Sequence, residues 1–147
     1  MEFYVHVSNV DSDEPYPHNR AGNFIIRLPR TIELTGEWEM SLAQIHFKRN
    51  VDKTSDPRHI FVCTDIVDGS VVGKAIHPIL RDVGLKSQGY QIEEFVTELF
   101  HRINHFWLQQ LHIYFLGDEH TLVELKETDT TDIVLHFRRK PLRICSE

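Results

Sequence analysis

Two histidines lie four residues apart, at His101 and His105, a spacing that would bring both rings to one side of a helix. Zincin metalloproteases hold zinc with two histidines at this spacing, and a glutamate directly after the first one acts as general base. Arg102 stands in that position here, and no nearby cysteines or aspartates complete a tetrahedral ligand set. The sequence therefore predicts no metal site, and we expect both histidines to face solvent or a partner.

Signatures of covalent catalysis and of phosphate binding are also missing. The chain has no Gly-x-Ser-x-Gly segment, and its seven glycines form no phosphate-binding loop. Its two cysteines, Cys63 and Cys145, lack the sequence context of a cysteine protease. Carboxylates are plentiful, but acid–base catalysis needs two of them across a cleft, which the sequence does not show. We expect no catalytic residue, no cofactor and no enzymatic activity.

The charge balance limits the kinds of partner. The net charge is −6 with the ten histidines counted as neutral, which disfavours general binding to nucleic acid or to an anionic membrane surface. The one basic cluster, Arg138-Arg139-Lys140 with Arg143, could meet nucleic acid or an acidic neighbour, but we favour a solvated strand end. We predict no specific nucleic-acid partner and no membrane partner.

The expected cellular setting is a reducing one. No apolar run approaches the ~18 residues that cross a membrane, and the N-terminus does not resemble a secretory signal. We expect synthesis in the cytosol, with or without passage into a nucleus. Cys63 and Cys145 are then expected to stay free thiols, although the sequence leaves a bridge between them open.

The elements that would position any functional residue are mainly β-strands. Trp38, Met40 and Leu42 alternate with polar neighbours, and side chains that alternate in this way line the two opposite faces of a sheet. The same rhythm predicts strands near residues 3–7, 23–28, 37–47, 111–116, 121–126 and 133–137. Residues 59–67 form a further strongly β-forming segment, 31–34 is a short extended piece, and 71–83 is extended but mixed, with Pro78 limiting it to an edge or a bend.

Within 37–47 the apolar phase slips by one residue around Ala43 and Gln44, which predicts a β-bulge or a sharp bend. His6 and His136 fall on outward phases of their strands, as His46 does after the slip, so we expect all three at the surface.

Local signals refine this pattern. Pro29 should end the second strand, and Asp68-Gly69 is a typical hairpin turn. Residues 59–67 are apolar in both phases, which predicts a strand that is central or covered on both faces. Residues 9–22 and 48–58 are polar, and we interpret them as loops that could contact neighbouring molecules.

One segment breaks the period of two. Its apolar residues recur at steps of three and four: Ile92, Phe95, Val96, Leu99, Phe100 and Ile103. Such steps predict an amphipathic helix, at about 91–106, that covers one end of a sheet. Together the elements predict one mainly β domain over residues 1–147. It would be an antiparallel sandwich of seven or eight strands with one helix, and the double-sheet jelly roll is the version with about eight strands.

Four stretches of the sequence, taken in order, resemble a known family. They are Tyr16–Asn19 with Phe24–Pro29, then Ile32–Ala43, then Phe61–Val67 followed by Val71–Gly73 and Pro78–Arg81, and finally Val134–Arg139. Their order and spacing are similar to those of the minor capsid, or penton, proteins of Polinton/Maverick elements and adintoviruses, and of related transposon-derived proteins. The resemblance covers nearly the whole chain, although residues 89–116 match only loosely.

The resemblance implies a single jelly roll and a structural role in a virion. A penton-type minor capsid protein would assemble as a homopentamer at the capsid vertices, beside a double jelly-roll major capsid protein. Because the shared motifs are strand patterns, no catalytic residues carry over. Whether the chain is a working vertex protein, a fragment or a host-captured relative stays open.

Two other functions compete with this one. A β-sandwich module that binds a protein, peptide or glycan would show an exposed aromatic patch or a groove, and the residues to inspect are Tyr4, Tyr16, Tyr90 and Trp107. An enzyme on a cupin-like or hydrolase-like β scaffold, with or without a metal, would need a pocket with converging ionisable groups. We rank the enzyme last, because no motif in the chain supports it.

Overall fold

Nearly all regular structure in the described residues is β. The computed structural model describes residues 1–11, 18–49, 58–86, 89–123, 125 and 128–141. Within these residues the strands are β1 (Glu2–Ser8), β2 (Asn23–Glu33), β3 (Trp38–Lys48), β4 (His59–Thr64), β5 (Ser70–Val72), β6 (Ala75–His77), β7 (Ile79–Gly84), β8 (Tyr90–Glu94), β9 (His101–Arg102), β10 (Trp107–Leu116) and β11 (Thr130–Arg139). A 3₁₀ turn, Asn9–Asp11, follows β1.

The strands form two antiparallel sheets and a small hairpin. The first sheet has the order β1-β11-β3-β8, and β9 pairs with the same edge of β3 as β8 does. The second sheet has the order β2-β10-β4-β7, and β5 pairs with β6. Sequence neighbours such as β1, β2 and β3 alternate between the sheets, which is the strand order of a jelly roll. The structure thus confirms the predicted antiparallel β-sandwich with a single jelly-roll topology.

The core lies between the two sheets and follows the predicted alternation. The inward side chains of β3 and β11, including Met40, Leu42 and Leu135, are buried against those of β10, including Leu111 and Ile113. Fully buried aromatic rings anchor the centre, and Phe47 meets Phe115 edge to face with ring centroids 5.7 Å apart. Residues 59–64 of β4 were predicted to be central, and they are: β4 lies between β10 and β7, and its outer face is packed against the Val72 side chain.

The predicted irregularity in β3 is a β-bulge. Gln44 pairs with Val134 and Leu42 pairs with Leu135, so Ala43 is an additional residue with no counterpart on β11. The bulge absorbs the slip in apolar phase, because Leu42 and Ile45 both reach the core although they are three positions apart.

The amphipathic helix predicted at 91–106 is wrong. Within the described residues no α-helix occurs, and this segment forms the short edge strands β8 and β9 with an irregular connection that bends at residues 96 and 97. Its apolar side chains do not share one face: Ile103 is buried in the core, whereas Ile92 is half exposed and Val96 is completely exposed. The edge of β3 supplies backbone partners along this stretch, and that pairing overrides the local helical pattern.

Two smaller predictions also need correction. Pro29 does not end β2, which continues to Glu33; β2 is an edge strand, where a residue without an N–H is tolerated. The hairpin turn is not Asp68-Gly69 but Gly73-Lys74, which joins β5 to β6 and has a positive φ of 61° at Gly73.

The chain turns back after β10 as predicted. Among the described residues of 121–126, however, the predicted strand amounts to one bridge, between Leu116 and Leu122.

Some predictions concern residues outside the description. Residues 12–17 of the predicted loop 9–22 and residues 50–57 of the predicted loop 48–58, together with Arg143 and Cys145, lie outside the described residues. Tyr16 is therefore outside them as well. That residues 1–147 form one domain stays a prediction. The described residues contain no helix with the length and apolarity that a membrane crossing requires.

Candidate functional site

The histidine pair that resembles a zinc motif is not assembled into a site. His101 lies in β9, where its Nε2 is 2.8 Å from the carbonyl oxygen of Leu80. His105 follows β9 and contacts the side chain of Asn104. In the part of the chain that the structure describes, no group of three or more histidine, cysteine, aspartate or glutamate side chains is placed to hold a metal ion.

Cys63 is buried and chemically quiet. It is a free thiol on the outer side of β4, packed against Ile79 and Leu116, and its Sγ donates a weak hydrogen bond to the carbonyl of Phe61 (3.6 Å). Burial raises the pKa of the Cys63 thiol from 9.0 to about 12. Because the thiolate is the nucleophilic form, this environment makes Cys63 a poor nucleophile at neutral pH.

The outer face of the first sheet carries the densest set of polar and titratable side chains. Cross-strand pairs lie on the same face, so Tyr4 sits beside His136 and Ser41, and His6 sits beside Val134 and Gln44. The outward placement predicted for His6, His46 and His136 is therefore confirmed. Surface exposure, however, is wrong for His136, which is only 5% exposed.

His136 is held between two carboxylates. Its Nδ1 lies 2.9 and 3.0 Å from the two carboxylate oxygens of Glu98, and its Nε2 lies 2.8 Å from a carboxylate oxygen of Glu2. Ser41 donates a further hydrogen bond to Glu98, at 3.2 Å. Each ring nitrogen thus faces an acceptor, and only the protonated imidazole has two N–H groups to donate to both.

The residues that bury His136 come from β1 and from the connection between β8 and β9. Residues 95–100, hereafter the strap, leave the edge of β3 and place Glu98 and Phe100 over the outer face; the Phe100 ring meets the His136 ring edge-on at 5.3 Å. Tyr4 stacks on the other side, with ring centroids 4.4 Å apart. The strap, together with Tyr4 and Glu2, covers His136, and Glu98 of the strap contacts Ser41. Both His136 and Ser41 are buried, although alternation places them on the outer face of the sheet.

The strap is anchored at both sides. At its start the Phe95 N–H donates to the carbonyl of Ala43 (3.0 Å). Arg81, on β7 of the second sheet, donates to the carbonyl of Thr97 (2.7 Å) and lies over the Phe95 ring at 4.0 Å. The strap therefore connects the edges of the two sheets.

A shallow depression lies farther along the same outer face. It has a volume of about 330 Å³ and is lined by side chains that include His6, Gln44, His46 and Asp132. Gln44 Nε2 and His46 Nε2 are 2.8 Å apart across one wall. The lining offers hydrogen-bonding groups for a polar ligand, but we see no nucleophile with an activating base among the described residues.

Exposed apolar side chains mark other surfaces. Tyr4, Tyr90 and Trp107 are each more than half exposed, but they do not form one patch: Tyr4 and Tyr90 lie on opposite edge strands of the first sheet, and Trp107 lies on the second sheet. Val71 and Ile76 face each other across the β5–β6 hairpin, and both are largely exposed. Ile92 joins Tyr90 on the outward side of β8.

The basic cluster near the C-terminus is partly engaged within the protein. Arg138 pairs with Glu39 (2.6 Å) and lies over the Phe100 ring at 3.3 Å from its centroid. The Arg139 side chain lies against Gly36, and the Lys140 N–H donates to the Glu37 carbonyl at 2.8 Å. These contacts fit a structural strand end.

Comparison with known proteins shows a similarity of fold. No protein-family model matches the chain, and no curated protein matches it. Among solved structures, the chain is similar to the selenomethionine-labelled mavirus penton protein, with a TM-score of 0.61 and 7% sequence identity. The similarity covers 94% of this chain and 99% of that chain. At this identity the match shows a shared fold, and it extends over essentially the whole of both chains.

Proposed function

We propose that this chain is a structural subunit of a capsid, of the penton type, and that it has no catalytic role. The observation that carries the proposal is the jelly-roll sandwich, which matches the mavirus penton protein over nearly its full length. The coverage of both chains supports the proposal, because two proteins that shared only a sandwich core would leave long unmatched segments in at least one of the two chains.

The proposed assembly is a homopentamer at the vertices of an icosahedral shell, in contact with a double jelly-roll major capsid protein. A closed ring requires two different patches on each subunit, because every contact is heterologous. Two exposed apolar surfaces are available: Val71 with Ile76 on the β5–β6 hairpin, and Tyr90 with Ile92 on β8. The proposed location of the assembled protein is the virion.

The test is the mass of the purified full chain in solution over a wide concentration range, followed by electron microscopy of any ring. We expect pentameric rings, and expect Val71→Gln with Ile76→Gln, or Ile92→Gln, to shift the equilibrium towards monomer. Glu94→Gln, an exposed change on the same strand as Ile92, is the matched control. A chain that stays monomeric at all concentrations, and that fails to associate with a major capsid protein, would contradict the proposal.

A β-sandwich binding module is the second candidate, and the depression lined by His6, Gln44, His46 and Asp132 favours it. Such a module would remain monomeric and bind a polar ligand there. Glycan-array and peptide-library screening of the wild type and of Gln44→Ala tests it, and binding that Gln44→Ala leaves unchanged would argue against this site.

A further inference from the structure

We infer that a depression at one end of the sandwich binds a neutral, hydroxyl-rich sugar, either as a single unit or as the end of a longer glycan. The depression has a volume of about 320 Å³. Its lining combines charged groups of both signs, an amide and an exposed aromatic ring, on Glu37, Asp68, Arg102, Asn104 and Phe106. It is separate from the depression around His6 on the outer face of the first sheet, and the inference does not depend on the capsid role.

The frame of the depression is built from connections that are tied to one another. They are residues 34–37 between β2 and β3, residues 65–69 after β4, residues 103–106 between β9 and β10, and Lys140 after β11. Backbone hydrogen bonds of 2.8–3.1 Å join these connections and their ends, from the N–H groups of Leu34, Ile103, Asn104, Asp68 and Lys140 to the carbonyls of Phe106, Trp38, Ile66, Arg102 and Glu37, respectively. Because these bonds fix the backbone of the lining residues, a ligand would not have to order a loop when it binds.

The charged side chains of the lining do not neutralise each other. In the described part of the chain Arg102, Asp68 and Glu37 form no ion pair, although all three line this depression. The side-chain oxygen of Asn104 contacts His105, which leaves the amide N–H groups of Asn104 as donors. The depression therefore offers hydrogen-bond donors and acceptors side by side within one small volume.

This mixture of groups selects the chemistry of the ligand. A carboxylate or a phosphate would be repelled by Asp68 and Glu37, and an ammonium group would be repelled by Arg102. A hydroxyl group both donates and accepts, so adjacent hydroxyls can meet the carboxylates and the guanidinium together without carrying a charge. A smaller depression that shares the Arg102 wall adds Lys140 and Glu39, again one group of each sign.

Phe106 supplies an apolar surface beside these polar groups. Its side chain is 69% exposed, while its backbone carbonyl is held by the Leu34 N–H. A sugar ring presents C–H groups on one face, and their weak positive charge is attracted by the negative face of an aromatic ring. The volume lies at the lower end of the range for small-molecule sites, about 300–1,000 Å³, which suits one sugar unit.

Saturation-transfer NMR of the full chain tests the inference, because it detects a bound ligand whether the chain is a monomer or a ring. The neutral probes are the methyl glycosides of glucose, galactose, mannose, fucose and N-acetylglucosamine, and the anionic probes are sialic acid and a sulfated glucose. We expect transfer to at least one neutral glycoside, strongest at the C–H protons of the face that packs on Phe106, and no transfer to the anionic probes.

Substitutions locate the site. Phe106→Ala and Arg102→Ala should each weaken binding of that glycoside about tenfold, the first by removing the packing surface and the second by removing a charged donor. Asp68→Asn keeps the shape of the side chain and should also weaken binding, and it decides the matter if Phe106→Ala does not fold.

Two matched controls should bind like the wild type. Trp107→Ala removes the neighbouring exposed aromatic ring, which does not line the depression. Arg30→Ala removes an exposed arginine from β2 and is the control for Arg102→Ala.

Three results would overturn the inference. One is the absence of transfer to every neutral glycoside at millimolar concentration. The second is stronger transfer to the anionic probes, which would make this an anion site around Arg102. The third is binding that survives Phe106→Ala but is lost in Gln44→Ala, which would move the ligand to the depression around His6.

Discussion

Deletion of Ala43 tests whether the bulge in β3 is a single additional residue in an otherwise regular strand. Leu42 pairs with Leu135 and Gln44 with Val134, so without Ala43 the strand can run against β11 in unbroken register. Leu42 and Ile45 would then be two positions apart, and all inward side chains of β3 would stay in the core. The identified loss is the hydrogen bond from the Phe95 N–H to the Ala43 carbonyl, worth about 0.5–1.5 kcal/mol.

Deletion of Ser41 is the matched control, because it shortens the same strand by the same one residue. Leu42 then takes the outward place of Ser41, and Ala43 takes the place of Leu42 in the core. Leu42 is 1% exposed, so this exchange corresponds to a leucine-to-alanine truncation at a buried site, about 2–5 kcal/mol. The hydrogen bond from Ser41 to Glu98 is lost as well.

Urea unfolding followed by circular dichroism measures the difference. We expect the free energy of unfolding to fall by about 1 kcal/mol for the Ala43 deletion and by about 3–5 kcal/mol for the Ser41 deletion. With a slope of about 2 kcal/mol per molar urea, the two midpoints should differ by roughly 1–2 M. If the Ala43 deletion is as destabilising as the Ser41 deletion, our account of β3 is wrong.

Two further predictions concern the core and the buried thiol. Phe137→Ala should lower the free energy of unfolding by about 3–5 kcal/mol, since Phe137 is fully buried and stacks on Phe3; Val71→Ala, on the exposed hairpin, should change it by less than about 0.5 kcal/mol, and similar losses in urea unfolding would refute the packing argument. Because burial raises the Cys63 pKa from 9.0 to about 12, the unfolded state loses its thiol proton first as the pH rises. The wild type should therefore lose about 1 kcal/mol of stability relative to Cys63→Ala between about pH 9 and about pH 10, and parallel curves would show that the thiol is not buried as described.

The sequence predicted the strands well where one face of a strand meets the core. Alternation of side chains is a local property of extended backbone, so the inward set of β3 and the phase slip at Ala43 could be identified without any knowledge of partners. The same reasoning assigned His136 to the outer face correctly. It could not show that His136 is buried there, because the covering residues, on β1 and on the strap, are distant in sequence.

The helix predicted at 91–106 shows how a periodic pattern can mislead. Its apolar residues have separate destinations in the fold, with Ile103 in the core, Ile92 on an edge strand and Val96 in solvent. Backbone pairing with β3 determines the conformation of this segment, and a single sequence does not reveal which edge is available for pairing.

By itself, the sequence determined that this protein is an antiparallel sandwich with a slip in one long strand, since steric alternation and β propensity act residue by residue. Only the tertiary structure decided the order of strands in each sheet, the path of the strap and the meeting of His136 with Glu2 and Glu98. Those features depend on contacts between residues far apart in the chain, whose free energies arise only when both sheets are in place.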